Sequence, residues 1–161
     1  MSALGQKMDI QSIENTVSLI DKNEKLKRSV LNWEELTEQT KINDSEFLVW
    51  SKNDTIYKVS LASLSPRGTI KFIIYCHEGN PIKIVEMEHF NSADIVSQDS
   101  SKLEVTFKEE IFITGFREYY PGEIEYEYEV LTEGSRMITD MYCQVNELLH
   151  PLEVAYKGLK K

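Results

Sequence analysis

Apolar and polar side chains alternate with the two-residue period of a strand through the middle of this chain, and the longer period of a helix shows only towards its two ends. The stretch from Thr69 to Phe90, TIKFIIYCHEGNPIKIVEMEHF, reads as two strands joined by a two-residue turn at Gly79-Asn80. That turn sets Lys71 opposite Glu88, Ile73 opposite Glu86 and His77 opposite Ile82. Because successive side chains point to opposite faces, Ile70, Phe72, Ile74, Cys76, Val85 and Met87 are expected together on one face. Thr69, Lys71, Tyr75, His77, Glu86 and Glu88 fall on the other, with Ile73, Ile82, Ile84 and Phe90 among them. A slip of one residue would scramble both sets, so the register is a sharp expectation.

The rest of the chain is arranged around that hairpin. Asp9 is a candidate N-cap, and Ile10, Ile13, Val17 and Ile20 recur at helical spacing, which predicts a helix over 9–23. The Asn32-x-x-Glu35 spacing of a capping box allows a short helix from Trp33, in competition with a strand from Ser29 to Trp33. Phe47–Ser51 and Thr55–Ala62 form a hairpin around Asn53-Asp54, with Trp50 facing Tyr57 and Leu48 facing Val59. Leu103 to Phe107 and Ile111 to Arg117 alternate as strands, with a boundary between them at Glu109-Glu110, which is poor turn chemistry. After a turn at Pro121-Gly122, EIEYEYEVL alternates without exception: Glu123, Glu125, Glu127 and Glu129 point one way, and Ile124, Tyr126, Tyr128 and Val130 the other. Ser135 is a candidate cap for a helix carrying Ile138, Met141, Val145, Leu148 or Leu149, and Leu152, kinked where Pro151 removes a hydrogen bond.

These elements predict one α+β domain over 1–161, in which a curled antiparallel meander of about seven strands spans 46–131. A helix over 9–23 and a kinked helix over 136–159 pack against one face of it, and residues 1–8 are expected to be disordered. The same strand count permits a closed up-and-down β-barrel as the alternative.

Charge narrows the partners. Twenty-seven acidic against 18 basic residues give a net charge of -9, which repels phosphate backbones and anionic lipid and so argues against nucleic acid. No apolar run is long enough to span a membrane as a helix. Two cysteines, Cys76 and Cys143, make no disulfide framework.

The segment IENTVSLIDKNEKLKRSVLNWEEL, followed by hairpins with short polar tips, resembles small exported bacterial α+β proteins of unknown function, with an N-terminal helix and an antiparallel meander. The resemblance covers the first third by pattern and the remainder by architecture, and it transfers no site. It implies export, in which case residues 1–6, with Ala3 and Gly5 at small-residue spacing, would be the remnant of a signal peptide. The default compartment is otherwise the cytoplasm.

Chemistry is sparse. His77 and His89 fall on opposite faces of the predicted hairpin, and Glu147-x-x-His150 occurs once where a di-metal bundle needs the motif twice, so no metal site is expected. No nucleophile motif, phosphate-binding glycine loop or dinucleotide fingerprint is present, so neither a catalytic residue nor a cofactor is expected. Two non-enzymatic functions remain. One is an interaction module of the immunity or inhibitor kind, meeting a basic protein through Glu86, Glu88, Glu123, Glu125, Glu127 and Glu129, with Tyr75 as an aromatic anchor. The other is a carrier of a small apolar ligand between sheet and helix, lined by Trp50, Phe72, Phe107, Tyr126 and Tyr128. A pocket of roughly 300 Å³ or more would favour the carrier.

Overall fold

Seven long strands and a two-residue eighth form one open antiparallel sheet in the computed structural model, with helices on both of its faces. The structure describes all residues except 1–2, 5–6, 40–43, 66–67, 91–103, 137–143 and 161. In chain order the elements are β1 (Ala3–Leu4), α1 (Ile10–Lys22), β2 (Lys27–Leu31), α2 (Trp33–Thr37), β3 (Asp44–Lys52) and β4 (Thr55–Ser65). There follow β5 (Gly68–His77), β6 (Asn80–Phe90), β7 (Glu104–Tyr120), β8 (Glu123–Gly134), α3 (Val145–Leu148) and α4 (His150–Leu159). Each long strand pairs with its neighbour in sequence, from β2 at one edge to β8 at the other, and these two edges do not pair with each other. The sheet is therefore a meander and not a closed barrel.

Local chemistry explains the helix starts. The Asp9 carboxylate accepts the Ser12 backbone N–H at 2.7 Å, and that bond holds its pKa below the ordinary carboxylate value. Asn32 accepts the Glu35 N–H at 3.0 Å and so opens α2, while β2 ends one residue earlier; strand and helix are both present where they seemed to compete. At the other end of the chain the helix breaks at Leu149 and restarts with Pro151 in its first turn, where a missing N–H costs nothing. Val145, Leu149 and Leu152 are buried, and Gln144 and Glu147 are exposed, as the spacing predicts. Ile138 and Met141 lie outside the described residues. The helix expected over 136–159 from a cap at Ser135 is corrected: Ser135 extends the β8 ladder by donating its N–H to the Thr106 carbonyl, and Gln144, with extended backbone, is the residue from which α3 starts.

The terminal helices lie on opposite faces, which corrects the expectation of a single covered face. Ile13, Val17 and Ile20 of α1 pack with Ile73, Tyr75 and Val85. Leu149, Leu152 and Ala155 pack on the other side with Phe47, Ile74 and Ile84, joined by Leu36 of α2. At Gly158 an added Cβ would lie 2.7 Å from Leu31 Cδ1 and 2.9 Å from Leu36 Cδ1, so glycine lets α4 approach α2 and β2 closely. The N-terminal segment also departs from expectation. Ala3 and Leu4 pair with Glu118 and Arg117 of β7, and Met8 donates its N–H to the Thr114 carbonyl.

Two bulges correct the predicted registers. In the central hairpin the turn is Glu78-Gly79, both at positive φ (52° and 81°), so His77 pairs with Asn80 and Cys76 with Pro81. One residue, Ile82, is then extra on β6, and beyond it Lys71 pairs with Met87, Ile73 with Val85 and Ile70 with Glu88. The hairpin at Asn53-Asp54 does the same: after Ser51 opposite Ile56, Tyr57 is extra. Trp50 then pairs with Lys58 and Leu48 with Ser60, instead of Tyr57 and Val59. Downstream of each bulge every side chain is on the face opposite to the one simple alternation assigns. The Glu109-Glu110 boundary disappears as well, because β7 runs unbroken through it.

Candidate functional site

The last strand keeps its predicted alternation. Gly122, at φ 88°, turns the chain back, and β8 pairs with β7 from Tyr120 opposite Glu123 to Phe107 opposite Gly134. Both register shifts in this ladder fall on β7, so β8 itself stays regular over its 12 residues. Glu129 sits opposite Phe112, which places the glutamate row on the α1 side; Tyr128 and Val130 sit opposite Ile113 and Ile111, on the α4 side. Glu123, Glu125 and Glu129 are exposed. Among the described residues the ion pairs within 4 Å fall on Glu127, with Lys7 Nζ at 3.5 Å and Arg117 Nε at 3.9 Å, although Arg117 is the register partner of Glu125. The Glu127, Lys7 and Arg117 side chains are 43–64% exposed, so these pairs contribute little.

The opposite face of β8 becomes wetter along the strand. Tyr126 tilts against Phe116 with ring centres 6.4 Å apart and packs on the α4-side core. Asn146 Nδ2 donates to the Ile124 carbonyl at 3.1 Å. Tyr128 and Val130 are then 44% and 43% exposed, and Leu131 on the other face is 56% exposed. Four acids on one side and a partly bare apolar row on the other thus share one edge strand.

Three of the predicted contact residues belong to the interior. The Ile82 bulge turns Glu86 and Glu88 onto the α4 side, opposite Phe72 and Ile70, where they are 5% and 0% exposed. Arg136 meets them there. It grips Glu86 with both terminal nitrogens, at 2.6 and 3.0 Å, lies 3.8 Å from Glu109, and stacks its guanidinium 4.2 Å from the centre of the Phe107 ring. The hydrogen bonds to Glu86 raise the Arg136 pKa, while burial raises that of Glu109 against the pull of Arg136. Tyr75, expected as an exposed anchor, is 6% exposed under α1 and donates its hydroxyl to Asp21 at 3.1 Å. Burial, and then the charge of Asp21, push its pKa well up.

Ion pairs also seat α1. Lys83, 5% exposed, reaches Glu14 of α1 at 2.5 Å and Glu110 of β7 at 2.8 Å, with Phe112 beneath it. Lys58 binds Asp21 at 2.8 Å and stands over the rings of Trp50 and Tyr75. Sequence reasoning passed over Lys83 and Arg136. Arg136 did carry a signal, as the one Lys or Arg between Arg117 and Lys157 in an otherwise acidic stretch.

The five aromatics of the predicted ligand pocket do not converge. Trp50 packs under α1, Phe72 and Tyr126 lie on the α4 side, Phe107 is covered by Arg136, and Tyr128 is exposed. A groove of about 370 Å³ runs between α2 and α4, but Glu38, Gln39, His150, Glu153 and Lys157 make it largely polar. The apolar hollow formed by Trp33, Leu61, Phe72, Leu148 and Pro151 holds about 190 Å³. His77 stands 3.8 Å from Glu78, and His150 stands 3.8 Å from Glu153 with its ring edge-on to Trp33. No three metal-ligating side chains come together among the described residues. Cys76 is fully buried, and burial pushes its thiol up to about 12, so it acts as a small hydrophobe.

Fold and surface together define an open antiparallel α+β sandwich with one acidic, regular edge strand. The chain matches no protein-family model, no curated protein and no solved structure.

Proposed function

We propose that this chain is a non-enzymatic interaction module, of the immunity or inhibitor kind, that meets a basic partner protein through the glutamate row of β8. The observation that carries this is the placement of Glu123, Glu125, Glu127 and Glu129 along an edge strand where, among the described residues, only Lys7 and Arg117 answer four acids: both reach Glu127, and Arg117 also stands across the ladder from Glu125. Like charges on one strand face repel, and a face serving only solubility would usually intersperse lysines. A positively charged partner relieves that repulsion and is steered towards it over long range.

The test is a pull-down at low and moderate salt with wild type and with Glu125→Gln/Glu127→Gln. Wild type should retain basic proteins at low salt and release them as salt rises, and the double variant should retain far less. Equal recovery by both proteins would remove β8 from the interaction. For the carrier alternative, the groove of about 370 Å³ between α2 and α4 meets the size criterion, but its polar lining does not suit an apolar ligand, and the hollow that is apolar holds about 190 Å³. That is smaller than the roughly 300 Å³ at which ligand sites begin.

A further inference from the structure

We infer that β8 binds its partner by strand addition, and that the occupant is an extended segment of a basic protein in which Lys or Arg alternates with apolar residues. This rests on the proposal that the glutamate row meets a basic partner, and it specifies how. One edge of β8 is taken by β7 from Phe107 to Tyr120. Among the described residues no strand pairs with the other edge; Asn146 caps the Ile124 carbonyl near its start, and no side-chain bond closes the outward N–H and C=O groups from Tyr128 onwards. Natural edges are usually protected by charged side chains, lysine above all, or by prolines, bulges or short length. Here β8 has neither Lys nor Pro and the bulges of its ladder lie on β7, so its protection is negative charge alone, which repels acidic or neutral strands and admits a basic one.

An added strand is selected by both faces of β8 at once. On the α1 side its residues would stand beside Glu123, Glu125, Glu127 and Glu129; on the α4 side they would stand beside Tyr128 and Val130, which are 44% and 43% exposed. Strands pair roughly 4.8 Å apart, close enough for cross-strand ion pairs on one face and apolar contacts on the other. A second copy fits worse in either of two ways. Antiparallel pairing of β8 with itself keeps faces matched only when glutamate lies opposite glutamate, as Glu125 opposite Glu127, which is repulsive. Head-to-tail pairing with the β2 edge of another copy offers only five residues, of which Arg28 alone would bring a cation to the glutamate side, since Lys27 shares its face with Ser29 and Leu31.

The experiment uses three short labelled peptides: one alternating lysine and valine, the same peptide N-methylated along one backbone edge, and one of equal composition with its lysines in a block. Binding is read by fluorescence anisotropy at low and moderate salt, and amide hydrogen exchange locates the site. The alternating peptide should bind, slow exchange at alternate β8 amides, and weaken with salt and with Glu125→Gln/Glu127→Gln. N-methylation should weaken it by about tenfold or more through lost backbone hydrogen bonds. Equal binding of all three peptides would overturn strand addition while leaving the acidic surface as the docking site. Failure of every peptide at low salt would overturn both. Protection of β8 that grows with protein concentration alone would make a second copy the occupant and overturn the inference.

Discussion

Glu109 and Glu110 are neighbours on β7 with opposite electrostatic situations. Glu109 faces the α4 side beside Glu86 and Arg136; burial, reinforced by Glu86, outweighs Arg136 and raises its pKa above the ordinary 4.5. For Glu110, on the α1 side, burial alone would also raise it, but the hydrogen bond and charge of Lys83 win and lower it. A raised carboxylate pKa means the folded state resists ionisation, so Glu109 costs stability at neutral pH and the cost is relieved as pH falls through its folded value. A lowered one means that Glu110 contributes stability above its unfolded value, lost as pH falls through its folded value. Urea unfolding should therefore show Glu109→Gln at least as stable as wild type near neutrality, with any gain fading in acid. Glu110→Gln should be less stable near neutrality, and its deficit should shrink on acidification. Identical pH profiles for the two variants would refute this division of the pair. Neither role could be read from the sequence, because adjacent glutamates on a strand look alike until the two covering layers are known.

At the scale of the element, alternation and turn chemistry located the strands from β3 to β8, though β7 as two pieces, together with the caps at Asp9 and Asn32 and the break before Pro151, but not the helix start expected at Ser135 and not the registers. The reason is specific. The extra residues Tyr57 and Ile82 are ordinary strand formers, so a bulge leaves no compositional mark while inverting everything beyond it. In β6 the pattern does not separate the two registers, since Ile84, Val85 and Met87 supply apolar side chains to both faces. One clue was present in β5: the continuous run Phe72 to Cys76 belongs to a strand covered on both sides, as this one is by α1 and α4. Helical periodicity carries no such ambiguity, and the placement of Val145 follows from it. Val145 is 4% exposed against the α4-side core. Val145→Ala should cost about 1–3 kcal/mol in denaturant unfolding through lost burial and a residual cavity. The exposed Gln144→Ala should stay within about 0.5 kcal/mol of wild type. Equal midpoints for the two variants would place α3 outside the cooperative core.

Across the whole molecule the charge imbalance was legible at once, but its partition between interior and surface was not. The pairs that join layers are distant in sequence: Lys83 reaches Glu14 across 69 positions, and Arg136 reaches Glu86 across 50. The Arg136–Glu86 pair is largely shielded from solvent, 19% and 6% exposed at the side chains, so added salt changes it little, whereas Glu14, 44% exposed, leaves the Lys83 pair open to screening on one side. What salt does screen is the exposed excess, a net charge of -9 that includes the uninterrupted acids of β8. Raising ionic strength from about 0.01 M to 0.15 M shortens the screening length from about 30 Å to 8 Å, shorter than the extent of the glutamate row. Thermal stability at neutral pH should accordingly rise over that range. Glu125→Gln/Glu127→Gln should raise the low-salt stability by about 0.2–1 kcal/mol, a shift of up to roughly 2–4 °C, and flatten the salt response. Because both glutamines keep the strand's shape and polarity, any gain reports relief of repulsion and not new packing. A double variant that melts below wild type at low salt would mean that Lys7 and Arg117 hold Glu127 strongly enough to stabilise the fold, and the acidic row would then be a structural seam instead of a surface kept for a partner.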